Sequence, residues 1–305
     1  GRHWHPYFGF TRFLQLDEWS AGVTMPELRD APIFTYKDGY DGHYYAQLAA
    51  RPAVDDPVLK VSIDDVAYRA RRILLSWIAW VVGGGDPVAA VRTYAWLNLV
   101  VWGGLAALLW RVFPATGWRE TLAWAGILFS AGVLHGVRLA LTDPLALLLV
   151  AGATVLAVRG RLGPAAGWLA IGGLARETVL LGGVTLLPEK PTRLADFRRV
   201  ALWGLLVVLP LVAWLLYLRV VLGTSKAGVA NFYLPFAGWV AKWSECLGWL
   251  RSEPDHFLAI TTLLGHVALT AQFLYLAWRR EIQNPWWRLG AVYGGLMIFL
   301  GTAVW

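Results

Sequence analysis

The chain has 305 residues, 57% of them hydrophobic and 15% charged, with 19 tryptophans and a formal net charge of +7. Its mean hydropathy of +0.51 lies outside the range of soluble globular domains and reads as an all-α integral membrane protein. The positive charges sit in short pairs between apolar runs, not in a basic stripe with interleaved aromatics, which excludes nucleic acid as partner; the single cysteine, Cys246, excludes an internal disulfide and a cysteine metal site.

Residues 1–66 carry ten of the acidic residues, from Asp17 to Asp65, together with Pro, Tyr and His clusters, and read as a non-spanning extracytoplasmic loop segment. Residues 67–305 read as a polytopic domain of about six to eight apolar helices, with runs near 72–82, 93–110, 120–137, 139–158, 165–187, 200–222, 257–278 and 289–305. About 20 helical residues cross a ~30 Å hydrocarbon core, so most of these runs are long enough to span. A polar opening segment that must cross the membrane leads us to expect an apolar helix ahead of Gly1. The uncapped run ending at Trp305 leads us to expect further helices beyond it.

Two runs depart from simple spans. "RRILLSWIAWVVGGG" offers about eleven helical residues before three glycines, with Trp77 and Trp80 suited to the headgroup level, so it is expected to lie in the interface. "AAGWLAIGGLARETVLLGGVTLL" carries Arg176 and Glu177 at its centre, where a charge is costly, and is expected to be two short helices meeting at that pair. With these assignments the basic loops at 111–119, 159–161, 190–199 and 279–288 all fall on the cytoplasmic side. In the long connection 223–256, Phe236, Trp239, Trp243, Leu247 and Leu250 share one helical face, with Lys242 and Glu245 off it, which predicts a helix lying on the membrane surface.

This topology gathers polar groups at one outer face: Asp38, Asp41 and His43 from "KDGYDGHYY", Arg69, Arg71 and Arg72 from "AYRARRILL", Asp143 from "LTDPLALLL", and Arg176 with Glu177. Carboxylates beside arginines suit a reaction that deprotonates an acceptor while stabilising an anionic leaving group, and a guanidinium fork matches phosphate oxygens. Each residue also has a plainer reading. Asp41–Gly42 is ordinary turn chemistry, arginines anchor helices at headgroups, and Asp143 before Pro144 is helix-capping chemistry. Arg176–Glu177 is either functional or a structural ion pair. His135 and His266 are expected to be satisfied histidines between helices.

The order "GYDGHYYAQLA", "AYRARRILL", a short apolar segment, "LTDPLALLL" and "GLARETVLL" resembles the GT-C superfamily of polytopic membrane glycosyltransferases. It looks most like bacterial members akin to the protein O-mannosyltransferase, aminoarabinose transferase and GPI mannosyltransferase branches. The resemblance covers residues 36–190 by motif. It implies a multi-helix bundle with an extracytoplasmic first loop and interfacial helices, set in a bacterial inner (plasma) membrane. It also implies inverting transfer of a hexose or pentose from a polyprenyl-phosphate donor to an acceptor on the external face.

In that reading Asp41 is the base, with Asp38 as the alternative, and Arg69, Arg72 and Arg176 grip the lipid phosphate. Glu177 holds Arg176 or touches the sugar, while Asp143 and His43 border the site. No cofactor is required, although Asp38, Asp41 and His43 are the set that would hold a divalent cation. Membrane lipid, the donor and other membrane subunits are the expected partners. A non-catalytic scaffold subunit of a larger complex is the alternative, and a transporter is the remaining one.

Overall fold

The computed structural model describes residues 4–19, 25–114, 116–188, 194–223, 231–253 and 255–301. It is predominantly helical, with one two-residue parallel strand pair, β1 (Leu16–Asp17) against β2 (Thr35–Tyr36). The longer helices are α1 (Gly42–Ala50), α2 (Leu74–Val82), α3 (Pro87–Val112), α4 (Trp118–Leu128), α5 (Ala131–Arg138), α6 (Asp143–Val158) and α7 (Leu162–Gly172). They continue with α8 (Leu194–Leu222), α9 (Ala237–Ser252), α10 (Phe257–Arg279) and α11 (Pro285–Ile298). Among the described residues, three helices, α3, α8 and α10, are long and apolar enough to cross a membrane, and the bent pair α4–α5 makes a fourth if counted as one span. Two compact units result, one formed by residues 1–180 with 201–225 and one by 181–200 with 226–305.

In the first unit α3 is the central post. Asp86 caps it by accepting from the Ala89 amide at 2.6 Å, and Pro87 occupies the first turn, where its missing N–H costs nothing. Against it lies α1, whose residues from Tyr45 to Ala50 are all buried; the small Ala46, Ala49 and Ala50 allow close approach. Arg51, directly before Pro52, ends α1 because a pre-proline residue avoids helical backbone. Next comes α2, tied to α1 by the Ser76 hydroxyl donating to the Tyr45 carbonyl at 2.8 Å. It ends in a glycine turn in which Gly84 and Gly85 take φ of +67° and +80°.

The run at 120–137 is broken by 42° between α4 and α5, a break not anticipated from sequence. Ser130 caps the second piece by accepting from Val133, so the chain restarts a helix where no Gly or Pro announces it. The run at 139–158 yields only the 16 residues of α6, about 24 Å and short of a crossing. The expected break near Arg176 is present: α7 ends at Gly172, and a 3-10 helix runs from Glu177 to Leu186.

In the second unit α10 is capped by His256 and α11 by Asn284. Arg288 is buried and donates to the carbonyls of Ile282, Leu187 and Pro188 at 2.6, 2.5 and 3.3 Å. It is therefore an interior clamp within the basic stretch 279–288. On the apolar side of α9 Phe236 and Leu247 are exposed, while Gly238 and Cys246 are buried. Lys242 lies over the Trp249 ring at 5.0 Å and pairs with Glu245 at 3.0 Å. Lys190 and Arg193 lie outside the described residues.

One seam decides where the site residues land. A Cβ on Gly42 would sit 2.1 Å from the Leu139 carbonyl oxygen, so the 139–142 turn lies directly on the start of α1. Tyr94 and Asn98 of α3 hold that turn, donating to the carbonyls of Ala140 at 3.1 Å and Leu141 at 2.8 Å. Replacing Gly42 with Ala is expected to destabilise the full chain by about 1–3 kcal/mol through overpacking. Gly103→Ala in α3, where a Cβ meets nothing within 4 Å, should be neutral or stabilising. Thermal unfolding of both variants in detergent micelles checks the contrast.

Candidate functional site

Three backbone-level ties bring the arginines together. The Leu74 amide donates to the Leu174 carbonyl at 3.1 Å, which lays the chain before α2 alongside the break after α7. Trp214 of α8 donates its indole N–H to the Ala70 carbonyl at 2.7 Å, fixing the turn between Arg69 and Arg72. Asp65 caps the single turn Val66–Arg69 by accepting from the Tyr68 amide at 2.9 Å. The result is an aromatic and cationic knot in which the guanidinium carbons of Arg69, Arg71 and Arg72 lie 5.6, 5.5 and 5.2 Å from the centre of the Tyr68 ring.

Each arginine of the expected phosphate grip has its own carboxylate. Arg69 donates Nη1 to Asp41 at 2.8 Å, and Nε and Nη2 to Asp64 at 3.0 and 2.7 Å, with its guanidinium 4.6 Å from the Tyr44 ring centre. Arg72 donates to Glu177 at 3.3 Å, to the Tyr45 hydroxyl at 3.2 Å and to the Tyr68 hydroxyl at 3.3 Å. Arg176 pairs with Asp143. Glu177 therefore holds Arg72, not its neighbour Arg176 as expected, because the two side chains leave the chain in different directions. Asp143 is not the cap of α6, since Thr142 occupies that position. Its carboxylate lies in the first turn, where the helix dipole also favours negative charge.

Burial alone would lower the basicity of Arg69, but its hydrogen bonds to Asp64 and Asp41 outweigh that and hold it above its usual value. Burial acts likewise on Arg72, where the oxygens of Tyr45, Glu177 and Tyr68 prevail in the same direction. Both guanidinium groups stay charged. Burial also pushes the Asp64 carboxyl up, yet the Arg69 hydrogen bond and the Asp65 amide bring it below its ordinary value.

His43 is buried, with Nδ1 3.0 Å from Asp17 Oδ2. The Gln47 amide nitrogen approaches the same atom at 3.4 Å, the longer of the two contacts. Asp38 is exposed and, among the described residues, forms no ion pair with the arginines. The divalent site composed of Asp38, Asp41 and His43 is not assembled. His43 is committed to Asp17 and Asp41 to Arg69, and no group of three or more metal-ligating side chains occurs among the described residues. His135 is exposed on α5, contrary to expectation, with its ring 6.3 Å from that of Tyr40. His266 is buried, with Nδ1 2.8 Å from the Thr262 carbonyl oxygen.

Sequence reasoning missed Asp64 and Asp17. The signal for Asp64 was its place five residues before Arg69, and for Asp17 the adjacent pair Asp17–Glu18 in "FLQLDEW".

These observations define a predominantly helical protein with helices suited to membrane crossing and an arginine–carboxylate cluster in its first unit. No protein-family model matches the chain, and neither a curated protein nor a solved structure is significantly similar to it.

Burial lowers the His43 pKa below 6.5, with Asp17, Asp41 and Asp64 opposing and Arg69 assisting. The folded state thus binds the proton less well than the unfolded chain, so stability is full above pH 6.5 and falls as pH drops toward the folded value. Thermal melts from pH 7.5 to 5.5 should show this decline, and His43→Gln should flatten it.

Proposed function

We propose that this chain is a membrane glycosyltransferase-like enzyme that moves a hexose or pentose from a polyprenyl-phosphate donor to an acceptor hydroxyl on the external membrane face, with inversion. The observation that carries the reading is the Arg69–Asp41 pair beside Arg72, a carboxylate and two fixed guanidinium groups within one cluster. A lipid phosphate is already a good leaving group. One base and fixed positive charge around the phosphate are the two elements the displacement needs, and no metal enters the step.

Asp41 takes the acceptor proton as the acceptor oxygen bonds to the anomeric carbon, and the anomeric C–O electron pair leaves on the phosphate. Arg72 gains strength of interaction as that phosphate becomes a dianion, since its charge is already fixed by Tyr45, Tyr68 and Glu177. Arg176, held by Asp143, supplies further positive charge near the α6 start. The inner membrane of a bacterial-type cell, with residues 1–66 extracytoplasmic, is the setting that the polyprenyl donor implies.

The scaffold-subunit reading is favoured by a different observation. Along α8, Leu202, Leu205, Leu209, Leu216 and Val220 are all more than half exposed, a face that lipid or another membrane subunit would cover. Reconstituted full-length protein, given radiolabelled polyprenyl-phosphate sugars and a mixed acceptor extract, separates the two. Transfer that falls about 100-fold or more in Asp41→Asn, and by about 100-fold in Arg72→Ala, is the expected result. Absence of transfer with every donor would replace the enzyme by the scaffold.

A further inference from the structure

Arg69 holds its two carboxylates in unlike ways. Asp64 takes the Nε–Nη2 edge with both oxygens, at 3.0 and 2.7 Å, and is itself fixed by accepting from the Asp65 amide at 2.8 Å. Asp41 takes Nη1 alone, through one oxygen at 2.8 Å, and makes no capping bond to the helix it precedes; the two carboxylates are about equally exposed, so the difference between them lies in the number of contacts. The Tyr44 ring, 4.6 Å from the guanidinium carbon, holds the fork in place from one face. A two-point contact keeps its geometry where a one-point contact is readily exchanged. The asymmetry therefore gives Arg69 one permanent partner and one removable one.

Resting on the transferase reading, we propose that the donor phosphate exchanges with Asp41 on Arg69 Nη1 while Asp64 stays in place as a positioning residue. Asp41 is thereby released as a base only when the donor is bound. The donor must enter before the acceptor is activated. In the step that follows, the acceptor O–H proton passes to Asp41, a bond forms from the acceptor oxygen to the anomeric carbon, and the bond from that carbon to the phosphate oxygen breaks. The phosphate changes from a monoanionic diester to a dianionic monoester, and Asp41 becomes neutral and stops competing for Arg69. When Asp41 later loses the proton to solvent it returns to Nη1 and helps expel the lipid phosphate.

The test is equilibrium binding of undecaprenyl phosphate, lacking the sugar, to the full chain in nanodiscs. Asp41→Asn should bind about two- to five-fold more tightly than wild type, because the competitor is gone. Asp64→Ala should bind several-fold more weakly, because Arg69 loses its orientation. If simple charge removal governed the site, both variants would bind more tightly; that result, or unchanged binding in Asp41→Asn, overturns the exchange while leaving the transferase reading standing. Loss of binding in wild type and in Asp41→Asn alike removes the transferase reading itself. Should Asp64→Ala fail to fold, Asp64→Asn, which retains an acceptor for the Asp65 amide, is read in its place and is also expected to weaken binding. Inorganic phosphate, titrated in parallel, should bind at least about ten-fold more weakly than the lipid. Equal affinity would mean that the site takes the free anion, and donor gating would fall.

Discussion

A guanidinium group next to apolar helices has to be compensated, and this constraint organises the first unit. Arg72 is nearly buried, with a side chain only 15% exposed, and its charge is tolerable because Glu177, Tyr45 and Tyr68 surround it. Those partners come from three separate stretches of chain. Satisfying one arginine therefore requires α1, the turn before α2 and the break after α7 to meet at one place. The pairs Arg69–Asp64 and Arg176–Asp143 repeat the requirement on either side of it. The same compensation leaves Arg69, Arg72 and Arg176 each paired with a carboxylate.

Packing then converts these charges into geometry. Tyr94 and Asn98 spend their hydrogen bonds on the backbone of the 139–142 turn, and Gly42 lets that turn rest on α1 without a side chain between them. Asp41 and Asp143 flank the two sides of this seam in sequence, one residue from Gly42 and two from the Leu141 carbonyl that the seam fixes. Neither residue is positioned by its own side chain. Both are carried by backbone contacts that leave their carboxylates available for arginine.

Much of this arrangement was legible from the chain alone. Charges that interrupt apolar runs need partners, so Asp41, Arg69, Arg72, Asp143, Arg176 and Glu177 stand out, and the break near Arg176 follows from the cost of burying that pair. What could not be read is who pairs with whom. Arg176 and Glu177 are adjacent in sequence and diverge in space, Asp64 looks like one more loop acid, and Asp17 reaches His43 only through the β1–β2 pairing. The 42° break at Phe129–Ser130 escaped because its signal is one capping serine inside an apolar run.

Arg288 shows that one residue can serve two different moments in the life of a membrane protein. In a chain that enters a membrane, an arginine near the start of a helix is a hydrated charge of the kind that helps to choose the side on which a segment stays. After folding Arg288 is 8% exposed, and its Nε, Nη1 and Nη2 each donate to a different carbonyl oxygen of the second unit. A lysine would suit the first moment equally well, but its single ammonium could not span three carbonyls held in a fork. The choice of side and the sealing of the interior therefore select for different properties of the same cation, and arginine is the side chain that meets both.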